Sequence, residues 1–210
     1  MDWNMGPLCR RGGILLLVFG IAGCAAIPRL NVTYRLPPAT GETTRPTPVY
    51  LTVQDERRSE EIMGIGARRD FGGTPVSISL AVKRGEEEGH GIGVFELPML
   101  LREGFLRRIE QAGLDVTSER VSGQPEISIV VREFLLDLVD RRWRFAMGYE
   151  ARLVKDGKVL SSQTISGNGE RLKVYGHKQA DQVVTEVFTD TVNQFNPGRL
   201  LQQAGMENRE

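Results

Sequence analysis

The spacing of apolar positions changes several times along the chain, and each change marks an element. Val76, Ile78, Leu80 and Val82 alternate with Ser77, Ser79 and Ala81, the period of a half-buried strand. From Leu97 the period lengthens. Leu97, Leu101, Phe105 and Ile109 stand four apart with Leu100 and Leu106 beside them, which predicts an amphipathic helix over 97–112. Pro98 suits its first turn and Gly113 the position just beyond its end. A second helix is predicted from Ala180 to Phe195, where Val183, Val184, Val187, Phe188, Thr191 and Val192 recur at spacings of three and four and Asn196-Pro197-Gly198 supplies the stop.

Between the helices the two-residue period returns. Ile127, Ile129 and Val131 hold one phase, and Val130, Phe134, Leu136 and Leu138 the other, which predicts a bulge or a strand buried on both faces. Trp143, Phe145, Met147, Tyr149, Ala151 and Leu153 then form one face of a strand, and Arg142, Arg144, Glu150 and Arg152 the other. Asp156-Gly157 is a strong hairpin turn signal, with a return strand from Val159 to about Ser166. Short β-prone runs at 49–53 and 114–117 flank the first helix. The expected fold is α+β, a mixed and mostly antiparallel sheet with two amphipathic helices on one face.

The amino-terminal segment has a different character. Arg10 and Arg11 precede an apolar run from Ile14 to Ile21. The run is well short of the roughly 20 residues that cross a bilayer, so it reads as the core of a signal peptide, not as a span. It ends in Ile21-Ala22-Gly23-Cys24, which resembles the bacterial lipobox. That resemblance implies cleavage before Cys24, a diacylglyceryl group on its sulfur and a further acyl chain, palmitate in type, on its amine. Such an anchor meets the two-signal requirement for stable membrane attachment. The absence of Asp after Cys24 points to the outer membrane, on its periplasmic face. The organisation expected is therefore a signal peptide over 1–23, the lipidated Cys24 with a Pro-rich tether over 24–47, one domain over 48–197 and a tail over 198–210. Five prolines lie between 28 and 48, and a fully extended tether of this length would reach about 75 Å. A short strand over 31–36 is compatible with the same stretch.

Composition narrows the function. Lys plus Arg and Asp plus Glu each number 27, so there is no charge excess to draw the chain to nucleic acid. Two histidines and two cysteines, with Cys9 ahead of the cleavage point, do not make a zinc cluster or a disulfide framework. No cofactor or metal is expected. The glycines around 64–66, 72–73 and 89–93 lack the Gly-Lys-Ser/Thr ending of a phosphate loop and read as turns. Charged stretches at Arg68-Arg69-Asp70 and 86–88 read as solvated loops. His90 and His177 lie in predicted loops with no nucleophile motif near them and read as surface residues. Asp55 and Arg57 read as a salt bridge or turn cap at a strand end, with a ligand pair as the alternative. The remaining candidates are Arg142, Trp143 and Arg144, where cation and aromatic together would grip a glycan or headgroup, and Tyr175, a contact point for a partner at the end of the sheet. For Trp143 the competing expectation is burial in the core.

Several segments together resemble the YajG family of bacterial lipoproteins: Val53-Gln54-Asp55-Glu56-Arg57, Phe105 to Gly113, Arg144-Phe145 to Tyr149-Glu150-Ala151, Asp156-Gly157-Lys158, Gly167 to Arg171 and Ala180-Asp181 through Val192. The resemblance covers nearly the whole mature chain and departs from the family in region 62–93. More loosely, the plan resembles envelope-lipoprotein domains of the LpoB and CsgG type. The resemblance implies an envelope location and a non-enzymatic domain, and supplies no site residues. The function expected is a tethered, non-catalytic adaptor that binds another envelope protein or a second copy of itself. The alternatives are an auxiliary lipoprotein of a lipid-transporting ABC system and, disfavoured by the missing nucleophile, a periplasmic hydrolase.

Overall fold

A computed structural model describes residues 28–38, 47–85 and 87–206. The signal peptide and Cys24 lie outside these residues. In chain order the elements are strands β1 (Arg29–Leu36) and β2 (Pro48–Asp55), helix α1 (Ile65–Asp70), strands β3 (Ser77–Arg84) and β4 (His90–Phe95), helix α2 (Leu97–Gln111) and strand β5 (Asp115–Thr117). The long strands β6 (Glu126–Val139), β7 (Arg142–Lys155) and β8 (Lys158–Leu172) follow, then helices α3 (Lys178–Gln194) and α4 (Pro197–Gln203).

The strands make two sheets, five-stranded β5-β2-β6-β7-β8 and three-stranded β1-β3-β4. The larger sheet is the one expected. Its parallel pairs β2–β5 and β2–β6 adjoin the antiparallel meander β6-β7-β8. Asp156 and Gly157 both take positive φ, as a type I′ turn requires. The phase switch in β6 is a bulge: Val131 pairs with Tyr149 and Glu133 with Gly148, leaving Arg132 as the extra residue. Ahead of the bulge all six residues from Glu126 to Val131 are buried, so both explanations of the mixed phase hold. Trp143, Phe145, Met147, Tyr149, Ala151 and Leu153 are all buried on one face of β7, where α3 and α4 also lie.

The second sheet corrects two expectations. Residues 29–36, placed in the tether, are a strand whose Leu30, Val32, Tyr34 and Leu36 are buried. Residues 90–93, read as part of a glycine-rich turn, belong to strand β4, which pairs with β3. The charged stretch ending in Asp70 belongs to helix α1, with Ala67 and the following Phe71 buried. The supposed carboxy-terminal tail also begins with a helix: Asn196 caps α4 by accepting from the Arg199 N–H, and Leu200 and Leu201 are buried.

Helix α3 joins the two sheets. Its apolar stripe packs on β7 and β8, where Gly167 and Gly169 let Val187, Val183 and Thr191 approach the strand closely. Its polar positions Asp181, Thr185, Thr189 and Asn193, each four residues from the next, run along the free edge of β1. The Asn31 N–H donates to Asp181 Oδ1 at 2.9 Å, that of Thr33 to Thr185 Oγ1 at 3.1 Å and that of Arg35 to Thr189 Oγ1 at 3.3 Å. Asn193 Nδ2 donates to the Arg35 carbonyl at 3.0 Å. An uncovered strand edge invites pairing with another chain; here a helix covers it with its own side-chain hydrogen bonds. Thr185→Val keeps the shape and removes the acceptor for the Thr33 N–H. The expected loss is about 1–2 kcal/mol, read as a shift in urea midpoint, and a change of under a few tenths would refute the ladder's contribution.

Candidate functional site

Trp143 lies on the core face of β7, opposite to Arg142 and Arg144, and is fully buried. Its ring meets Phe71 edge-on at 5.8 Å and His177 at 6.2 Å, with Lys173 Nζ at 5.9 Å from its centroid. It is therefore unavailable to a glycan or headgroup, which corrects that candidate. Arg142 and Arg144 both pair with Glu170, at 2.8 and 3.5 Å. Tyr175 follows β8 in a loop and is 90% exposed. These four residues do not form one surface. His177, expected at the surface, stacks on Phe71 with centroids 3.8 Å apart and sets Nε2 3.3 Å from Asp70 Oδ2, and Asp70 also pairs with Lys173. These contacts fasten α1 to the start of α3.

Arg57 also has a structural role. Its guanidinium has five N–H donors, and all five are used: Nε and Nη2 on Asp55 at 2.9 and 2.8 Å, Nη2 on the Glu60 carbonyl, and Nη1 on the carbonyls of Glu61 and Phe134. This side chain is 6% exposed. A saturated guanidinium has no donor left for a ligand, so the salt-bridge reading holds. The hydrogen bond from Arg57 holds the Asp55 carboxyl below its ordinary value of 3.8. The stabilisation is therefore complete at neutral pH and is lost as pH falls through the lower folded-state value. Wild-type stability should fall more steeply than that of Asp55→Asn between about pH 5 and pH 2, measured by urea unfolding; parallel profiles would refute this.

The Arg57 knot forms one wall of a cleft of about 880 Å³ between the two sheets, within the size range of small-molecule sites. Ile62, Val76, Val94, Phe95 and Leu97 give it apolar walls, with Glu60 and Glu96 as charged groups at its lining. Val94 is 50% exposed. Three elements meet there because β2 ends at Asp55, β4 ends at Phe95 and α2 begins at Leu97. No histidine or cysteine lines the cleft. The arrangement is suited to holding an apolar group. Among the described residues no three His, Cys, Asp or Glu side chains come together as a metal site.

No protein-family model matches the chain, and no curated protein matches it. Solved structures do. A Xanthomonas campestris protein of family DUF330 superposes with a TM-score of 0.50 at 17% identity, over 86% of this chain and 99% of that one. The shared property is the fold. A minor lipoprotein from Acinetobacter baumannii (TM-score 0.41, 7% identity, 76% and 91% of the two chains) and a lipoprotein from Neisseria meningitidis (0.29, 15%, 70% and 99%) are also among its neighbours. None of the three is described as a YajG protein. Among the described residues no helix is long and apolar enough to cross a membrane.

Sequence reasoning missed the cleft because it is assembled from segments far apart in the chain, and the full Arg57 clamp because three of its five acceptors are backbone carbonyls, which carry no side-chain signal. The helix-to-strand ladder did leave a trace in the four-residue spacing of Asp181, Thr185, Thr189 and Asn193.

Proposed function

We propose that this chain is a non-catalytic, YajG-like envelope lipoprotein, anchored through Cys24 to the periplasmic face of the outer membrane, whose domain binds another envelope component. The observation that carries the reading is the run Ile21-Ala22-Gly23-Cys24 behind an arginine-led apolar segment, directly ahead of a folded domain. The structure alters the mechanics expected of it. Because β1 starts at Arg29, five residue steps separate the anchor from the domain, at most about 18 Å of extended chain. The Pro-rich residues between β1 and β2 connect two strands and do not lengthen the tether. The adaptor would work close to the bilayer, with little reach. Cys24→Ser should move the chain from the membrane pellet to the soluble periplasmic fraction. Full retention in the pellet would overturn the anchor, and crosslinking in cells that recovers no envelope protein would count against the adaptor.

The cleft favours one second reading, an auxiliary lipoprotein of a lipid-transporting ABC system. Its apolar walls and volume suit an acyl chain, and Ser77 in its lining is the register partner of Arg29, next to the anchoring segment. Mass spectrometry of the purified chain should then find co-purified lipid that is lost in a Val76→Glu variant. A lipid-free wild-type chain would remove this reading.

A further inference from the structure

The end of the domain from which the anchoring segment leaves is fixed by hydrogen bonds. β1 and α3 run in the same direction, with Asn31 beside Asp181, Thr33 beside Thr185 and Arg35 beside Thr189. Stepping back two residues along β1 and one turn along α3 places Arg29 at the level of His177. The chain that leads to Cys24 therefore departs beside the loop 173–177. That loop carries two strongly exposed large apolar side chains, Tyr175 at 90% and Val174 at 71%, with Leu172 at 56% just before it. The Lys173 N–H donates to the Arg141 carbonyl at 2.8 Å, which brings the turn between β6 and β7 to the same end.

The charges there are mostly positive. Arg29, Arg141 and Lys178 are exposed and enter no ion pair among the described residues. Of the acids at this end, Asp70 is paired with Lys173 and His177, and Glu170 with Arg142 and Arg144; Asp181 is hydrogen-bonded by Asn31 and keeps its charge, and Glu96 is exposed beside the start of β3. Asp140 in the turn is exposed. A tyrosine with an apolar neighbour, ringed by cations, suits the headgroup layer of a bilayer, where an amphipathic ring is half wet and basic side chains meet anionic lipid.

We infer that this end of the domain, with Val174 and Tyr175 at its tip and Arg29, Arg141 and Lys178 around it, docks on the surface of the membrane that holds the anchor. The inference rests on the lipidation of Cys24. The short tether brings the face to the headgroups; the face fixes the orientation of the domain against them. The β7–β8 turn at Asp156-Gly157 then points away from the bilayer, since β7 runs from Arg142 at the docked end to Lys155 beside that turn.

The test uses the lipidated full-length chain in vesicles of phosphatidylethanolamine with a minor fraction of phosphatidylglycerol. An environment-sensitive fluorophore is placed on Tyr175→Cys or, as the distal control, on Asp156→Cys, and spin-labelled lipid serves as quencher. Co-sedimentation with the vesicles reports the anchor separately from the docking. The expected result is sedimentation of both variants, with quenching at 175 several-fold above that at 156. Adding Arg141→Glu and Lys178→Glu should bring the two positions to equal quenching while sedimentation is unchanged, because each basic side chain at an anionic surface is worth about fivefold in binding. Equal quenching at 175 and 156 in the otherwise unaltered chain, with sedimentation intact, overturns the docked orientation and leaves the anchor standing. Failure to sediment overturns both.

Discussion

Replacing Arg57 with alanine should cost about 3 kcal/mol of folding stability, at the lower end of the 3–5 kcal/mol found when one partner of a buried ion pair is removed. The lower end applies because the Asp55 side chain is 26% exposed and water can reach it once the guanidinium is gone. The Phe134 carbonyl loses a charged donor, and two carbonyls of the loop after β2, from Glu60 and Glu61, lose theirs. Arg57→Lys should recover only a minor part. An ammonium is a compact point charge and cannot serve a carboxylate bidentately while reaching three carbonyls. The measurement is urea unfolding of the Cys24→Ser chain, with a fall in midpoint at unchanged slope as the expected form. A loss under about 1 kcal/mol would mean the knot behaves as an ordinary surface pair. The same substitution frees the segment that carries Ile62 into the cleft, so any lipid bound there should weaken with it.

The chain discloses its larger sheet and two long helices because each follows one period with one buried face. The β7 pattern from Trp143 to Leu153 and the α3 stripe from Ala180 to Phe195 are both buried as their spacing implies. Elements whose signal is short or mixed were not legible. β4 is His90-Gly91-Ile92-Gly93-Val94-Phe95, in which two of six residues are glycine and the apolar residues are too few to show a period. α1 has six residues, too few to display a helical period, and is held by tertiary contacts instead. β1 does alternate, with Leu30, Val32, Tyr34 and Leu36 all buried. Prolines on either side made it look like tether. What they mark is a strand end at Leu36 and the connection to β2.

The candidate site divides along the same line. The alternation of β7 already set Trp143 on the opposite face from Arg142 and Arg144, so the competing expectation of burial was present in the pattern itself. The exposure of Tyr175 was readable, since it falls between two strong elements in a stretch with Gly176. Its significance was not readable, because it depends on where β1 begins. Once Arg29 is seen to start a strand alongside α3, the beginning of the described domain and the exposed tyrosine come to the same end of the molecule. A 75 Å tether would have left that proximity without meaning; under the lipidation proposed for Cys24, a link of five steps gives it one.

Gly66→Ala should undock α1, at a cost of about 3 kcal/mol. A β-carbon at Gly66 would stand 1.9 Å from the Leu138 carbonyl oxygen, a backbone atom that cannot rotate away. The helix approaches β6 this closely because it is fastened there: the Gly64 N–H donates to the Leu136 carbonyl, the Leu136 N–H to the Ile62 carbonyl and the Ala67 N–H to Asp137 Oδ1. Relief therefore requires the whole turn to shift, and with it Met63, Ala67 and Phe71, which are 5%, 0% and 4% exposed. Phe71 alone is worth about 1.5–3 kcal/mol of burial. The event has its own optical report. The chain has two tryptophans, Trp3 ahead of Cys24 and Trp143, and Trp143 lies against Phe71 and His177. With α1 displaced, Trp143 emission should shift to the red while far-ultraviolet circular dichroism stays close to wild type, since α1 contributes six residues. Wild-type emission together with wild-type stability would show that the strand yields to the methyl group and that α1 is not locked where it lies.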